Sequence, residues 1–393
     1  MGDVAQGYRR ESTMASRFVR LYNFLATSLL SSLILVVGGH YFLELYNPRL
    51  SAAKVDPHVI DIIDPRAYQA MYANHPERDT IFEYARHDRT HFEPYIHWRR
   101  YPIETKHVHV NEQGIRTTIK RPNPQAKKVF VLGGSTVWGI GASDDRTIPS
   151  FLQQALGGEY DVYNFGETGY VATQELNQLL RKLADGDIPD YVIFYDGNND
   201  GYAGAYSPAV PRDPQNLRQE AAAREQAEHN LLYRVLHEWI EPSNYAKLLW
   251  SLQERRVRLW DDRIAEGAAR RAKQVVGYYE AHVRQVQALA KEYGFKAYFF
   301  WQANMFNPRR TPVAYEQDIL KSASPVFIET QRQVYYEAKR AFEGRESDGI
   351  YFLADLFNEV AEPVFLDWSH TSMEGNKIVA DKIIDSLQPV MRR

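Results

Sequence analysis

Residues 129–139 read VFVLGGSTVWG: an apolar run, a pair of glycines, then Ser135 and Thr136. A short apolar run closed by glycines reads as a strand buried on both faces that ends in a tight turn. A phosphate loop of the GxxxxGK[ST] kind would need a Lys after the glycines, and none follows. The GxGxxG dinucleotide fingerprint fails as well, because GGSTVWGIG places its glycines elsewhere. The nucleophile-elbow pattern GxSxG lacks its second glycine. What is left is a hydroxyl at the C-terminal end of a strand, where open α/β sheets bind ligands. A plain structural turn and a nucleophile loop both fit that description.

Downstream, strand-like and helix-like stretches alternate. After Lys127–Leu132, a helix begins near Thr147, a suitable N-cap, and runs through FLQQAL. YDVYNF (160–165) is a second strand, and TQELNQLLRKLADG (173–186) is an amphipathic helix stopped by glycine. DYVIFYDG (190–197), KAYFFWQA (296–303) and GIYFLADL (349–356) are further strands. Strands spaced by helices predict a three-layer α/β/α sandwich with a mainly parallel sheet.

Residues 201–292 interrupt the rhythm. Leu231, Leu232, Val235, Leu236, Trp239 and Ile240 form one helical stripe, within a helical insertion at about 201–270. It could serve as a lid, a membrane-facing element or a partner surface, or pack against the sheet edge. A second stripe, Val275, Val276, Tyr279, Val283 and Val286, reads as the ordinary helix before the 296–303 strand.

Upstream, residues 21–43 carry no Asp, Glu, Lys or Arg. At 1.5 Å per residue they reach about 34 Å, enough to cross a hydrocarbon core of roughly 30 Å. Arg9, Arg10, Arg17 and Arg20 precede the segment; Glu44 follows it, then only Arg49 and Lys54. The positive-inside rule therefore puts residues 1–20 in the cytoplasm and the rest outside, in the periplasm or its equivalent. A cleaved signal peptide usually has a shorter apolar region of about 7–15 residues, so a retained single-pass anchor in the cell (inner) membrane is expected. Residues 44–120 then read as a membrane-proximal linker and N-terminal subdomain, with a turn at NEQG (111–114), and residues 121–393 as the α/β domain. His107 and His109 would share a strand face, but no third ligand stands at useful spacing, and no metal site is expected.

Composition excludes several classes. A net charge of −3 leaves no excess of Lys and Arg for a nucleic acid. Cysteine is absent, which removes thiolate catalysis and Cys-ligated zinc.

A serine hydroxyl needs a base to act as a nucleophile at neutral pH. FLDWSHTSMEGNKIVADKI (365–383) supplies His370 and, three residues before it, Asp367, just ahead of a helix opening near Ser372. Asp367 would fix the imidazole tautomer, and the other ring nitrogen would take the Ser135 proton. Gly169 in NFGETGY and Asn199 in DGNND follow the second and third strands. With the Ser135 N–H they offer three donors to one developing oxyanion. Read singly, Gly169 is a turn glycine and Asn199 a turn former.

In this order, Ser135 in GGST, Gly169 in NxGxxG, Asn199 in GxND and Asp367/His370 in DxxH resemble the SGNH (GDSL-type) hydrolase superfamily, over about residues 127–390. The resemblance implies Ser135 as nucleophile, Gly169 and Asn199 as oxyanion donors beside the Ser135 N–H, His370 as base and Asp367 as its orienting acid. It implies an acyl-ester substrate and no cofactor. The usual Asp before the serine is Gly134 here. Tyr95, Trp98 and NEQGIR resemble the N-terminal part of membrane-anchored members that carry GGS. The expectation is a membrane-anchored serine esterase acting on O-acyl, chiefly O-acetyl, groups of surface or secreted glycans. One alternative is an O-acetyltransferase that passes the acyl group to an extracytoplasmic polysaccharide. Another is a non-catalytic glycan-binding or scaffold protein of an envelope complex, against which the full set of catalytic residues argues. No protein partner is legible.

Overall fold

A computed structural model of the 393-residue chain describes residues 20–32, 34, 35, 38, 63–119, 123–206, 267–307, 309–323 and 325–391. The chain divides into two units, residues 1–54 with 221–258 and residues 55–220 with 259–393. In the first unit, residues 20–32 are helical and exposed. The rest of the predicted membrane segment at 21–43 lies largely outside the described residues, and among the described residues no helix is long and apolar enough to cross a membrane. Most of the predicted insertion, including the Leu231–Ile240 stripe, also lies outside them.

The second unit is built on a five-stranded parallel sheet. Two short hairpins come first, β1 (Thr90–Glu93) with β2 (His97–Arg100), and β3 (Ile103–Glu104) with β4 (His109–Val110). The main strands are β5 (Lys127–Gly133), β6 (Tyr160–Asn164), β7 (Tyr191–Asp196), β8 (Lys296–Trp301) and β9 (Ile350–Phe352), in the order β6-β5-β7-β8-β9. Every neighbouring pair in this sheet is parallel. The eight helices named here are α1 (Ser135–Trp138), α2 (Ile148–Leu156), α3 (Ala172–Ala184), α4 (Asn198–Tyr206), α5 (Ala268–Tyr293), α6 (Ala314–Ser322), α7 (Pro325–Phe342) and α8 (Met373–Met391).

Alternation along β5 explains the layers. Val129 and Val131 point to a core shared with Ile148 and Leu152 of α2 and Val379, Ile383 and Leu387 of α8. Phe130 and Leu132 point the other way, to Leu179 and Leu183 of α3, the Val275–Val286 stripe of α5, and Val334, Ala338 and Phe342 of α7. With both faces covered the strand must be apolar throughout, which is why it reads as a continuous run. Thr147 caps α2 by accepting from the Ser150 N–H, and Gly186, at φ +77°, follows the end of α3.

Some boundaries differ from the sequence reading. The strand expected at 349–356 pairs only over Ile350–Phe352, because β9 is an edge strand meeting β8 through three residues. Helices α6 and α7 were not foreseen. Residues 63–119, within the stretch read as linker and N-terminal subdomain at 44–120, lie in the same compact unit as the sheet. Arg116 shows why: fully buried, it bridges to Asn164 at the sheet edge and donates to the Trp138, Gly139 and Ala142 carbonyls at 3.0, 2.7 and 2.5 Å.

The chain lays down β5, then β6 on one side of it and β7 on the other. That reversal opens a crevice at the C-terminal ends of the strands. The segments that follow β5, β6 and β7, carrying Ser135, Gly169 and Asn199, all leave from that edge.

Candidate active site

Ser135 is the first residue of α1, and Gly134, extended at φ −82° and ψ −155°, is its N-cap. At Gly133 a Cβ would lie 2.4 Å from the Tyr195 carbonyl of β7, so the strand can leave the sheet this sharply only with glycine there. The helical turn closes at Gly139, φ +95°, and its carbonyl end is the one Arg116 braces. Arg100 and Arg116 also stack on the Trp138 ring, at 4.0 and 4.3 Å.

The loop that carries Asp367 and His370 is a tight reversal ahead of α8. Leu366 N–H donates to the His370 carbonyl, and Ser372 N–H to that of Val364, each at 2.8 Å. Within it, Asp367 Oδ1 accepts from the backbone N–H groups of Ser369 and His370, at 2.7 and 2.8 Å. Asp367 Oδ2 meets His370 Nδ1 at 2.5 Å, and His370 Nε2 meets Ser135 Oγ at 2.6 Å. The sequence-predicted Ser135, His370 and Asp367 are therefore brought together in one hydrogen-bonded chain. Burial alone would push the Asp367 carboxyl up, but the His370 charge and these hydrogen bonds outweigh it and hold the group below its ordinary value. A carboxylate only accepts, so His370 Nδ1 carries the ring proton and Nε2 turns its lone pair to the Ser135 hydroxyl.

Gly169 sits at φ +75° in the turn after β6. Asn199 lies in the first turn of α4, and its amide nitrogen donates to the Tyr170 carbonyl at 2.8 Å. That bond ties the loop after β7 to the loop after β6, and one amide proton of Asn199 remains for another acceptor.

Sequence reading missed three features around this site. Glu175, Asp196 and Asp200 form a buried acidic group behind the β7–α4 turn. Glu175 is raised well above the usual carboxylate range by burial and by the Asp196 charge. Asp196 is pushed up to about 6 by burial, partly offset by hydrogen bonds from Glu175 and Tyr279. Asp200 is pushed up to about 7 by burial and by Asp196. The buried Arg100–Glu167 pair and the half-buried Trp98 are the other two, and both touch the Gly169 loop. Glu167 was visible inside NFGETGY, but nothing in the spacing tied it to Arg100.

His107 and His109 do not share a site. His109 Nδ1 bonds Asp144 at 2.7 Å, while His107 faces Glu77 at 3.3 Å. Among the described residues no group of three His, Cys, Asp or Glu is placed to hold a metal ion.

An α/β/α sandwich with a serine, a histidine and an aspartate joined at its C-terminal edge is the architecture of an SGNH-type hydrolase. The chain belongs to the GDSL-like Lipase/Acylhydrolase family, whose sequence model matches residues 129–383. Similar solved structures include a carbohydrate acetylesterase family member from Sinorhizobium meliloti, 14% identical over 68% of this chain and 97% of that one, TM-score 0.37. A lipolytic G-D-S-L family protein from Veillonella parvula is 12% identical over 68% and 100%, TM-score 0.37. The lipase/acylhydrolase from Enterococcus faecalis is 12% identical over 67% and 96%, TM-score 0.33. No curated protein matches the chain.

Proposed function

We propose that the protein is a membrane-anchored serine esterase that removes small O-acyl groups, chiefly O-acetyl, from extracytoplasmic glycans. The observation that carries the catalytic part is the Ser135–His370–Asp367 hydrogen-bond chain at the sheet's C-terminal edge. Ser135 Oγ attacks the ester carbonyl carbon as His370 Nε2 takes its proton, and the carbonyl electron pair moves onto oxygen. The Ser135 and Gly169 N–H groups and the Asn199 amide stabilise that oxyanion. Collapse breaks the bond to the alcohol, which leaves with the proton from His370, and the acyl group stays on Ser135. Water, deprotonated by the same imidazole, attacks the acyl-enzyme, and acid and free enzyme are released.

The anchor and the outside location are inferred from residues 21–43 and the arginines before them. The glycan substrate follows from that location and from the family's acyl-ester chemistry. If a polysaccharide hydroxyl replaces water in the second half, the same steps become acyl transfer.

The full chain in detergent, assayed on p-nitrophenyl esters of increasing acyl length, tests this reading. Acetate should be hydrolysed fastest, and Ser135→Ala should cost several orders of magnitude, of order 10⁴–10⁶. Equal rates in the variant would defeat the serine mechanism. With a de-O-acetylated glycan present, acetyl-glycan formation exceeding free acetate would replace hydrolysis by transfer.

A further inference from the structure

The peptide that carries the Gly169 N–H is gripped from behind by the β1–β2 hairpin. Glu167–Tyr170 is a four-residue turn, with Tyr170 N–H donating to the Glu167 carbonyl at 3.3 Å and Gly169 at φ +75°. Positive φ at the third position marks a type II turn; type I places that residue near −90°. The two types differ mainly by a flip of the central peptide, here the Thr168 carbonyl and the Gly169 N–H. In a planar trans peptide these two groups point in opposite directions. Whatever fixes the Thr168 carbonyl therefore fixes where the Gly169 N–H points.

Trp98 of β2 does this. Its indole Nε1–H donates to the Thr168 carbonyl at 2.9 Å. Its ring edge covers Gly169 so closely that a Cβ there would lie 3.2 Å from Trp98 Cζ2. The contact is reciprocal, because Tyr170 O–H donates to the Trp98 carbonyl at 2.6 Å. Two residues along β2, Arg100 donates to Thr168 Oγ1 at 2.9 Å while ion-paired to Asp88 at 2.8 Å. Glu167 Oε1 accepts the Thr168 N–H, also at 2.9 Å. The carbonyl, amide and side chain of Thr168 are thus all held. A carbonyl that accepts a hydrogen bond also polarises its peptide, which strengthens the N–H at the other end as a donor.

We infer that Trp98 is a positioning residue for the reaction: it selects the turn conformation that aims the Gly169 N–H. Trp98 lies outside residues 129–383, which the family model matches, so this part of the machinery is supplied by the chain's own N-terminal hairpin. The inference rests on the reading of Gly169 as an oxyanion donor.

Two full-length variants test it, Trp98→Phe and the replacement of Trp98 by benzothienylalanine, in which sulfur replaces only the ring N–H. Both should lower kcat on p-nitrophenyl acetate by about 10- to 100-fold, less than the roughly 10²–10³ for deleting a donor outright. KM should stay within about twofold, because an oxyanion contact is made in the transition state and not in the ground state. Inhibition by phenylboronic acid, which forms a tetrahedral adduct on a nucleophilic serine, should weaken by the same factor as kcat. Wild-type kcat and boronate affinity in the benzothienylalanine protein, with Ser135→Ala inactive, would overturn the role of Trp98 alone. A loss seen only in Trp98→Phe would assign the effect to packing and overturn it equally. Full activity in Ser135→Ala would remove the underlying mechanism, and the inference with it.

Discussion

Gly134 and Asn199 share a space that admits only one side chain. A Cβ on Gly134 would lie 2.5 Å from Asn199 Nδ2 and 3.6 Å from the Tyr170 carbonyl that this amide bonds. The backbone of Gly134 is in an ordinary extended conformation, so the constraint is steric and not torsional. This accounts for glycine where the resemblance leads one to expect Asp: here Asn199 leans over the residue before Ser135. Gly134→Ala should displace the amide and lower kcat by about 10-fold or more, approaching the roughly 10²–10³ of an outright donor loss. Gly134→Asp should do at least as much. Steady-state kinetics beside a thermal melt checks this, and full activity in both variants would mean that Asn199 has room to move.

Asp367 sets the tautomer of His370 through the 2.5 Å contact at Nδ1. In Asp367→Asn an amide N–H₂ facing Nδ1 would draw the ring proton to Nε2, leaving no lone pair for Ser135. By analogy with serine proteases the variant should lose about 10⁴ in kcat. A variant that kept more than about a tenth of the activity would remove Asp367 from the mechanism. The same carboxyl also affects stability. Its folded value lies below the unfolded one, so its contribution is present above the ordinary carboxylate range and is lost as pH falls through the folded value.

The buried acidic group predicts the opposite slope. In the unfolded chain Asp196 and Asp200 release their protons near pH 4, whereas in the fold they hold them to about 6 and about 7. Between those limits the folded state binds more protons, so the contribution of Asp196 and Asp200 to stability falls as pH rises from about 4 to about 7. Asp200→Asn should flatten the fall. Urea midpoints of the two proteins across pH 5–8 provide the check, and parallel curves would contradict it.

Arg116 joins the N-terminal segment to the turn that begins at Ser135. It satisfies three carbonyls and pairs with Asp144 at 3.0 Å while fully buried. Arg116→Ala removes the charged donor that these groups share and leaves Asp144 without its guanidinium, and should cost about 3–5 kcal/mol. Arg116→Lys should recover only part of this, since a single ammonium cannot reproduce the planar fork. Chemical denaturation measures both, and a loss under about 1 kcal/mol for Ala would show that the segment docks by other contacts.

The sheet was legible because β5, β7 and β8 are buried on both faces and so are apolar without interruption. The order of Ser135, Gly169, Asn199, Asp367 and His370 was legible because each sits just past a strand or just before a helix. What could not be read was anything that depends on contacts between distant segments. Trp98 entered the sequence reading only through a resemblance, and the partners of Trp98 and Arg100, Thr168 and Glu167, lie some seventy residues away. Asp196 ends a strand and Glu175 lies on a helix some twenty residues earlier, and only the fold places them together. Gly134 could be noted as a departure, but its cause needed the position of the Asn199 side chain.

The claim on which the account rests is that Ser135 is the nucleophile. Intact-protein and peptide mass spectrometry after treatment with a fluorophosphonate measures it directly, because the reagent phosphonylates a serine activated by a neighbouring imidazole. The account predicts one adduct per chain, on the peptide containing Ser135, absent from Ser135→Ala and His370→Ala. An adduct on another serine, or equal labelling of the Ser135→Ala protein, would contradict it.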